Sequence, residues 1–207
     1  MSTPRYILTI INVTFFIKFN RPSHSKNIKN RTFPRNMKIK IGISSCLLGQ
    51  KVRYNGQHKL DKPIVKALGS YVEWVPVCPE VECGFSIPRE PMRLEGAPAE
   101  PRLMTVNSQK DLTEQMLKWV KKRIIELGDE DLCGFIFKSK SPSCAVMDLI
   151  DVYNEGIAKK EGQGIFAAAF IKHFPLIPVE DEVQMRITEL RDNFIEQAFA
   201  YSRFKND

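Results

Sequence analysis

Residues 38–46 read KIKIGISSC and residues 71–79 read YVEWVPVCP. Each is a short run rich in β-branched and aromatic residues that stops at a cysteine beside a turn-forming Ser or Pro, which is the pattern of a strand followed by a break. Between them, Leu60–Leu68 carries a helical apolar spacing with Gly69 behind it as a stop signal. Strand, helix and strand over forty residues make a βαβ unit, so the two strands are expected to be parallel and joined by a right-handed crossover.

Working outward, a long helix is expected after the potential caps Asn107 and Ser108, with Leu112, Met116, Trp119, Val120, Ile124 and Leu127 on one face and Gly128 closing it. Leu132–Lys138 (LCGFIFK) reads as a third strand that ends in Ser139–Cys144 (SKSPSC). A helix over Gly164–Phe174, an extended piece at Leu176–Val179 and a terminal helix from Gln184 to Phe204 complete the pattern. The fold class is therefore α/β: an open, mostly parallel sheet with flanking helices and a carboxy-terminal helix.

The chain has 207 residues, 43% hydrophobic and 27% charged, a composition that excludes disorder, collagen and a polytopic membrane protein. Its net charge of +7 invites a nucleic-acid reading, but the excess sits in one place. Residues 1–36 hold seven Lys and Arg and no acid, whereas residues 37–207 hold 24 basic and 24 acidic side chains. A basic binding face on the body is not expected, nor is a DNA or membrane partner, and tRNA is disfavoured because phosphate binding needs clustered Lys and Arg. The apolar run Tyr6–Phe19 is too short for a comfortable membrane span and has no small-residue cleavage site behind it. We expect residues 1–36 to be a basic extension, either a disordered tail or an upstream start artefact before Met37, with a transit peptide as the competing reading. Residues 37–207 are expected to form a single cytoplasmic α/β domain.

Cys46, Cys78 and Cys144 each fall just past an expected strand. In an open parallel sheet those carboxyl ends share one edge, where ligand crevices form. Cys83 lies near enough in sequence to reach the same edge, while Cys133, inside the third strand, reads as a core residue. An odd count of five disfavours a disulfide framework, and no C-x-x-C pair marks a structural zinc site. Thiolates spread over three loops suit an iron–sulfur cluster, and three protein ligands would leave one iron open.

The stretches SSCLLGQKVRYNG (44–56), VPVCPEVECGFSIPREPMRLEG (75–96), LCGFIFKSKSPSC (132–144) and GQGIFAAAF (162–170) resemble the DUF523 family, which includes the 2-thiouracil desulfurases. The resemblance spans about residues 38–200. It implies a Rossmann-like domain in which Cys46, Cys78 and Cys144 hold a 4Fe-4S cluster and the open iron takes the sulfur of a small thiolated heterocycle. Where many relatives have Gly this chain has Cys83, which could replace Cys78 or Cys144 as a ligand or add a fourth, and Ala145 stands where SPSC-Gly is usual.

Glu80, directly after Cys78-Pro79, is the best-placed base to take a proton from water, a role in which the resemblance favours an acidic residue, with Glu82 the weaker alternative. Ser141 or Ser143, flanking Pro142, is expected to hydrogen-bond the substrate or water, Ser141 being the choice the resemblance favours. A Lewis-acidic iron polarising C=S, with water attacking the ring carbon, is coherent chemistry. Arg53, Tyr54 and Asn55 are placed to hold a planar ring or to form an ordinary turn, and Arg89 and Arg93 read as ion-pair partners of nearby Glu residues. The expected activity is non-redox desulfuration of a thiolated pyrimidine or related thioamide. Two other readings stand beside it: a sulfur carrier or transferase for nucleoside or tRNA thiolation, and a non-enzymatic module stabilised by zinc.

Overall fold

The computed structural model describes residues 38–146 and 150–206. The expectations for residues 1–36 lie outside the described residues.

The βαβ unit forms as its apolar pattern dictates. Strand β1 (Ile39–Ser44) is buried at five of six positions and pairs in parallel with β2 (Val72–Val77), in register from Ile39↔Val72 to Ser44↔Val77. The crossover helix α1 (Lys62–Leu68) starts where Asp61 Oδ1 accepts the amide of Ile64 at 3.2 Å, so the helix begins two residues later than expected. On the other side of β1 lies β5 (Leu132–Phe137), buried throughout and also parallel, and outside it β8 (Val179–Asp181). The order β2-β1-β5-β8 reverses direction between β1 and β5, which makes the carboxyl ends of those strands a topological switch point.

A second sheet was not foreseen. Strands β3 (Met92–Glu95), β4 (Arg102–Thr105), β6 (Ile150–Asn154) and β7 (Ile157–Gly162) form a mixed sheet in the order β4-β3-β6-β7. Its strands carry charges instead of clean apolar runs. The edge strand β7 is exposed from Ile157 to Glu161 and bears Lys159, Lys160 and Glu161 in succession.

Three helix boundaries differ from expectation for definable reasons. Glu90 captures Asn107 and Ser108: its carboxylate accepts the Ser108 amide at 2.8 Å, the Ser108 hydroxyl at 2.7 Å and the Asn107 amide. The long helix (α3, Thr113–Asp129) instead starts at Thr113, whose amide is taken by Asp111 Oδ1 at 2.9 Å, and it runs through Gly128 to a cap at Glu130. The terminal helix α5 (Thr188–Asn206) is preceded by a separate 3-10 turn at Gln184–Arg186. The last strand lies at 179–181, displaced from the expected 176–179.

The core is an aromatic stack between β5 and α4 (Ile165–His173). Phe135 and Phe137 stack with centroids 4.1 Å apart, and Phe166 and Phe170 meet them edge-on. Gly42, opposite Phe135 in β1, leaves room for that ring; a methyl there would overlap it. No helix among the described residues is long and apolar enough to cross a membrane.

Edge strand β8 holds one carboxylate in an unfavourable setting. Glu180 Oε2 is buried without a hydrogen-bond partner, and burial, reinforced by the neighbouring Asp181, pushes its carboxyl from 4.5 up to about 7. The folded state therefore binds a proton that the unfolded state has already released, so this group's contribution to stability falls as pH rises from about 5 to about 8. Glu180→Gln is expected to remove that slope: in urea melts, the variant gains on the parent by about 1–2 kcal/mol between those pH values.

Candidate active site

The loops leaving β1, β2 and β5 enclose a cavity of about 470 Å³ lined by Cys46, Cys78 and Cys144 together with Glu80, Arg89 and Ser141. Cys46 lies in the 3-10 turn Ser45–Leu48, and its carbonyl accepts the amides of Gly49 at 3.2 Å and Lys59 at 2.9 Å. Gly49 takes a φ of 91°, which lets the chain leave the turn at once. Cys78 caps the four-residue helix α2 (Pro79–Glu82), and its amide donates to Glu82 Oε1 at 2.7 Å. That bond and a contact with Arg123 at 3.3 Å commit the Glu82 carboxylate to holding α2, so Glu82 is placed as a cap and not at the cavity.

Cys144 is fixed through the backbone. The amides of Cys144 and Ala145 both donate to the Ser141 carbonyl, closing a tight turn. The first amides of α4 then donate to the same loop: Ile165 to Pro142 at 3.1 Å, and Phe166 and Ala167 to Ser143 at 3.0 and 3.2 Å. Helix N-terminal donors are thus satisfied by the cysteine loop itself. Gly164 sits directly against the backbone of Ser143, Cys144 and Ala145, where no Cβ fits, and this is the structural content of the GQGIF motif.

Glu80 is the centre of the polar network. Its Oε2 pairs with Arg89, whose Nε lies 3.0 Å away, and Arg89 is itself anchored on the Val52 carbonyl at 2.8 Å. Its Oε1 accepts the Ser143 hydroxyl at 2.9 Å and the Ser141 hydroxyl at 3.4 Å, with the two hydroxyls 2.9 Å apart. Ser143 is buried and also lies 3.6 Å from the Cys144 sulfur. Arg89 therefore serves Glu80, while Arg93 pairs with Glu95 at 2.7 Å.

Burial pushes the Cys46 and Cys78 thiols up to about 11, and raises Cys144 as well. Each thiolate would feel the next: Cys78 raises both Cys46 and Cys144, while the charges of Lys138 and Arg53 lower Cys46. A metal bound to such thiols would draw off their protons. Among the described residues no three His, Cys, Asp or Glu side chains converge on a point that would suit a single ion. A cluster asks for a different arrangement, one thiolate at each of several irons, and Cys46, Cys78 and Cys144 are the thiols on separate loops that could supply it.

The remaining sequence candidates fall elsewhere. Cys83 does not line the cavity; its thiol donates to the Glu80 carbonyl at 3.3 Å, and burial pushes it up to about 12. Cys133 is buried within β5. Arg53 and Tyr54 do line the cavity, the guanidinium 5.5 Å from the ring centroid, whereas Asn55 makes a local turn by accepting the Gln57 amide. Sequence reasoning missed Lys138, at the exit of β5, and Glu182, just past β8; both follow strand ends, which was the one signal able to find them.

The family model for 2-thiouracil desulfurase matches residues 41–182 of the chain. The uncharacterized protein YbbK of Bacillus subtilis (strain 168) is 33% identical over 135 residues, covering 62% of this chain and 87% of its own length. Among solved structures, the 4Fe-4S-dependent thiouracil desulfidase TudS is similar with a TM-score of 0.58 at 31% identity, over 74% of this chain and 97% of that one.

Gly164→Ala is expected to force α4 off the Cys144 loop, because only backbone surrounds the new methyl. The variant should lose about 2–4 kcal/mol of stability. Its Cys144, 4% exposed in the parent, should react faster with a thiol reagent under native conditions.

Proposed function

The chain belongs to the 2-thiouracil desulfurase family, and on that premise we propose that it removes sulfur hydrolytically from a small thiolated heterocycle, a thiopyrimidine or related thioamide, with a 4Fe-4S cluster as cofactor. The observation that carries this reading is the meeting of Cys46, Cys78, Cys144 and the carboxylate of Glu80 in one cavity built from three separate loops. A volume of about 470 Å³ is ample for a pyrimidine ring. Cys46, Cys78 and Cys144 would hold the cluster; Cys83, which faces the Glu80 carbonyl, would not. When bound, the cluster supplies an open iron that acts as a Lewis acid on the C=S group.

What the chain's own residues contribute follows from the hydrogen bonds. Arg89 occupies Oε2 of Glu80, so a proton arriving from water goes to Oε1. Ser143, buried, fixes the orientation of that oxygen, and Ser141, at the longer distance, is free to turn its hydroxyl towards water or the ring. Water's oxygen replaces sulfur at the ring carbon, sulfur leaves as hydrogen sulfide, and no electrons are gained or lost. Arg53 and Tyr54 offer a flat cationic and aromatic wall for the ring.

The test is anaerobic reconstitution of the full chain followed by iron counting and a thiouracil assay. C46S, C78S and C144S are each expected to lose iron while C83S keeps it. Glu80→Gln is expected to keep iron and lose at least about a hundredfold in turnover. Retained iron in all three cysteine variants, or parental turnover in Glu80→Gln, would overturn the reading.

A further inference from the structure

Besides the Glu80–Arg89 pair, the cavity is bordered by a second ion pair that the reaction described above does not use. Glu182, 5% exposed, accepts the Ser139 amide at 2.6 Å, the Ser139 hydroxyl at 2.8 Å and the ammonium of Lys138. Lys138 Nζ also donates to the Ser139 carbonyl at 2.8 Å and to its hydroxyl oxygen at 3.3 Å, so all three ammonium protons are committed. The backbone is held as firmly: the Lys138 amide donates to Ser44 Oγ at 2.9 Å, at the end of β1, and the Glu182 amide extends the β5–β8 ladder by bonding the Phe137 carbonyl at 3.2 Å.

The pair has a direction. Lys138 stands between two cavities, lining both the one that holds the cysteines and a neighbouring one of about 370 Å³ beside His58 and Arg186, whereas Glu182 lines only the second. Of the two charged residues, only the cationic one borders the site. Such a pair is a poor source of stability, since apolar side chains of similar size commonly do as well. With its protons spent, the ammonium is no acid; it offers a fixed charge, already oriented before reaction begins.

We propose that Glu182 is a positioning residue that stations Lys138 in the cavity wall beside Cys46, as a fixed positive charge for the negative charge gathering on the departing sulfur. This rests on the desulfuration reading, and two measurements keep the two apart. The variant of choice is K138M/E182Q, which removes both charges together and strands neither.

In the cluster-free chain, Cys46 is alkylated with anionic iodoacetate and with neutral iodoacetamide. The parent is expected to favour the anionic reagent at least about threefold more than the double variant does, a difference that a purely structural role would not produce. In the reconstituted enzyme, K138M/E182Q is expected to carry parental iron, to lose about tenfold to a hundredfold in kcat with KM little changed, and to bind hydrosulfide as an inhibitor more weakly. K138R should restore part of the loss.

Equal reagent preference in the two proteins overturns the inference, as does parental kcat in the double variant. If the reconstituted parent releases no uracil from thiouracil, the desulfuration reading fails, and the alkylation ratio alone then decides whether Lys138 charges the cavity.

Discussion

Because β1 hydrogen-bonds in parallel to β2 on one side and to β5 on the other, three strands release the chain at the same edge of one sheet. Parallel pairing is what allows residues 46, 78 and 144 to meet, since an antiparallel neighbour would send its loop to the opposite end. The demand that follows is burial on both faces: β1 and β5 are nearly all apolar, and α4 must cover β5 with Phe166 and Phe170. The helix that covers the core is the same helix whose first amides hold the Cys144 loop. Packing and site geometry are therefore one arrangement, and a fault in either is felt in both.

Two largely buried ion pairs border the cavity. Glu80 and Arg89 both line it and pair with each other; Lys138 lines it too and pairs with Glu182, which does not. Glu80 and Lys138 are each held by at least two further hydrogen bonds, which fixes the charge in space. A carboxylate and a fixed cation in one cavity suit a reaction in which one atom accepts a proton while another leaves with negative charge. The hydroxyls of Ser141 and Ser143 tie the Glu80 carboxylate to the Cys144 loop.

Much of this was legible in the sequence because the governing signals are local. KIKIGIS and LCGFIFK are apolar runs that permit little except buried strands, and the cysteines lie just beyond them. The helix start was misread for a tertiary reason: Asn107 and Ser108 are good cap residues, but Glu90, seventeen residues before Asn107, takes their amides. The second sheet was invisible because a strand such as IAKKEG lacks apolar alternation and is exposed at five of its six residues. Lys138 and Glu182 were missed because they are 44 residues apart and only the β5–β8 register brings them together.

The charged run on β7 has a consequence for the molecule in a crowded solution. An outermost strand presents unpaired amides and carbonyls that any extended chain can copy, and it is the usual starting point of sheet-to-sheet association. Here Lys159, Lys160 and Glu161 are exposed along that strand. A second backbone drawing alongside would have to strip water from three charges before gaining any ladder bonds. The second sheet thereby ends itself, and its rim repels extension by chemistry where its geometry would otherwise invite it.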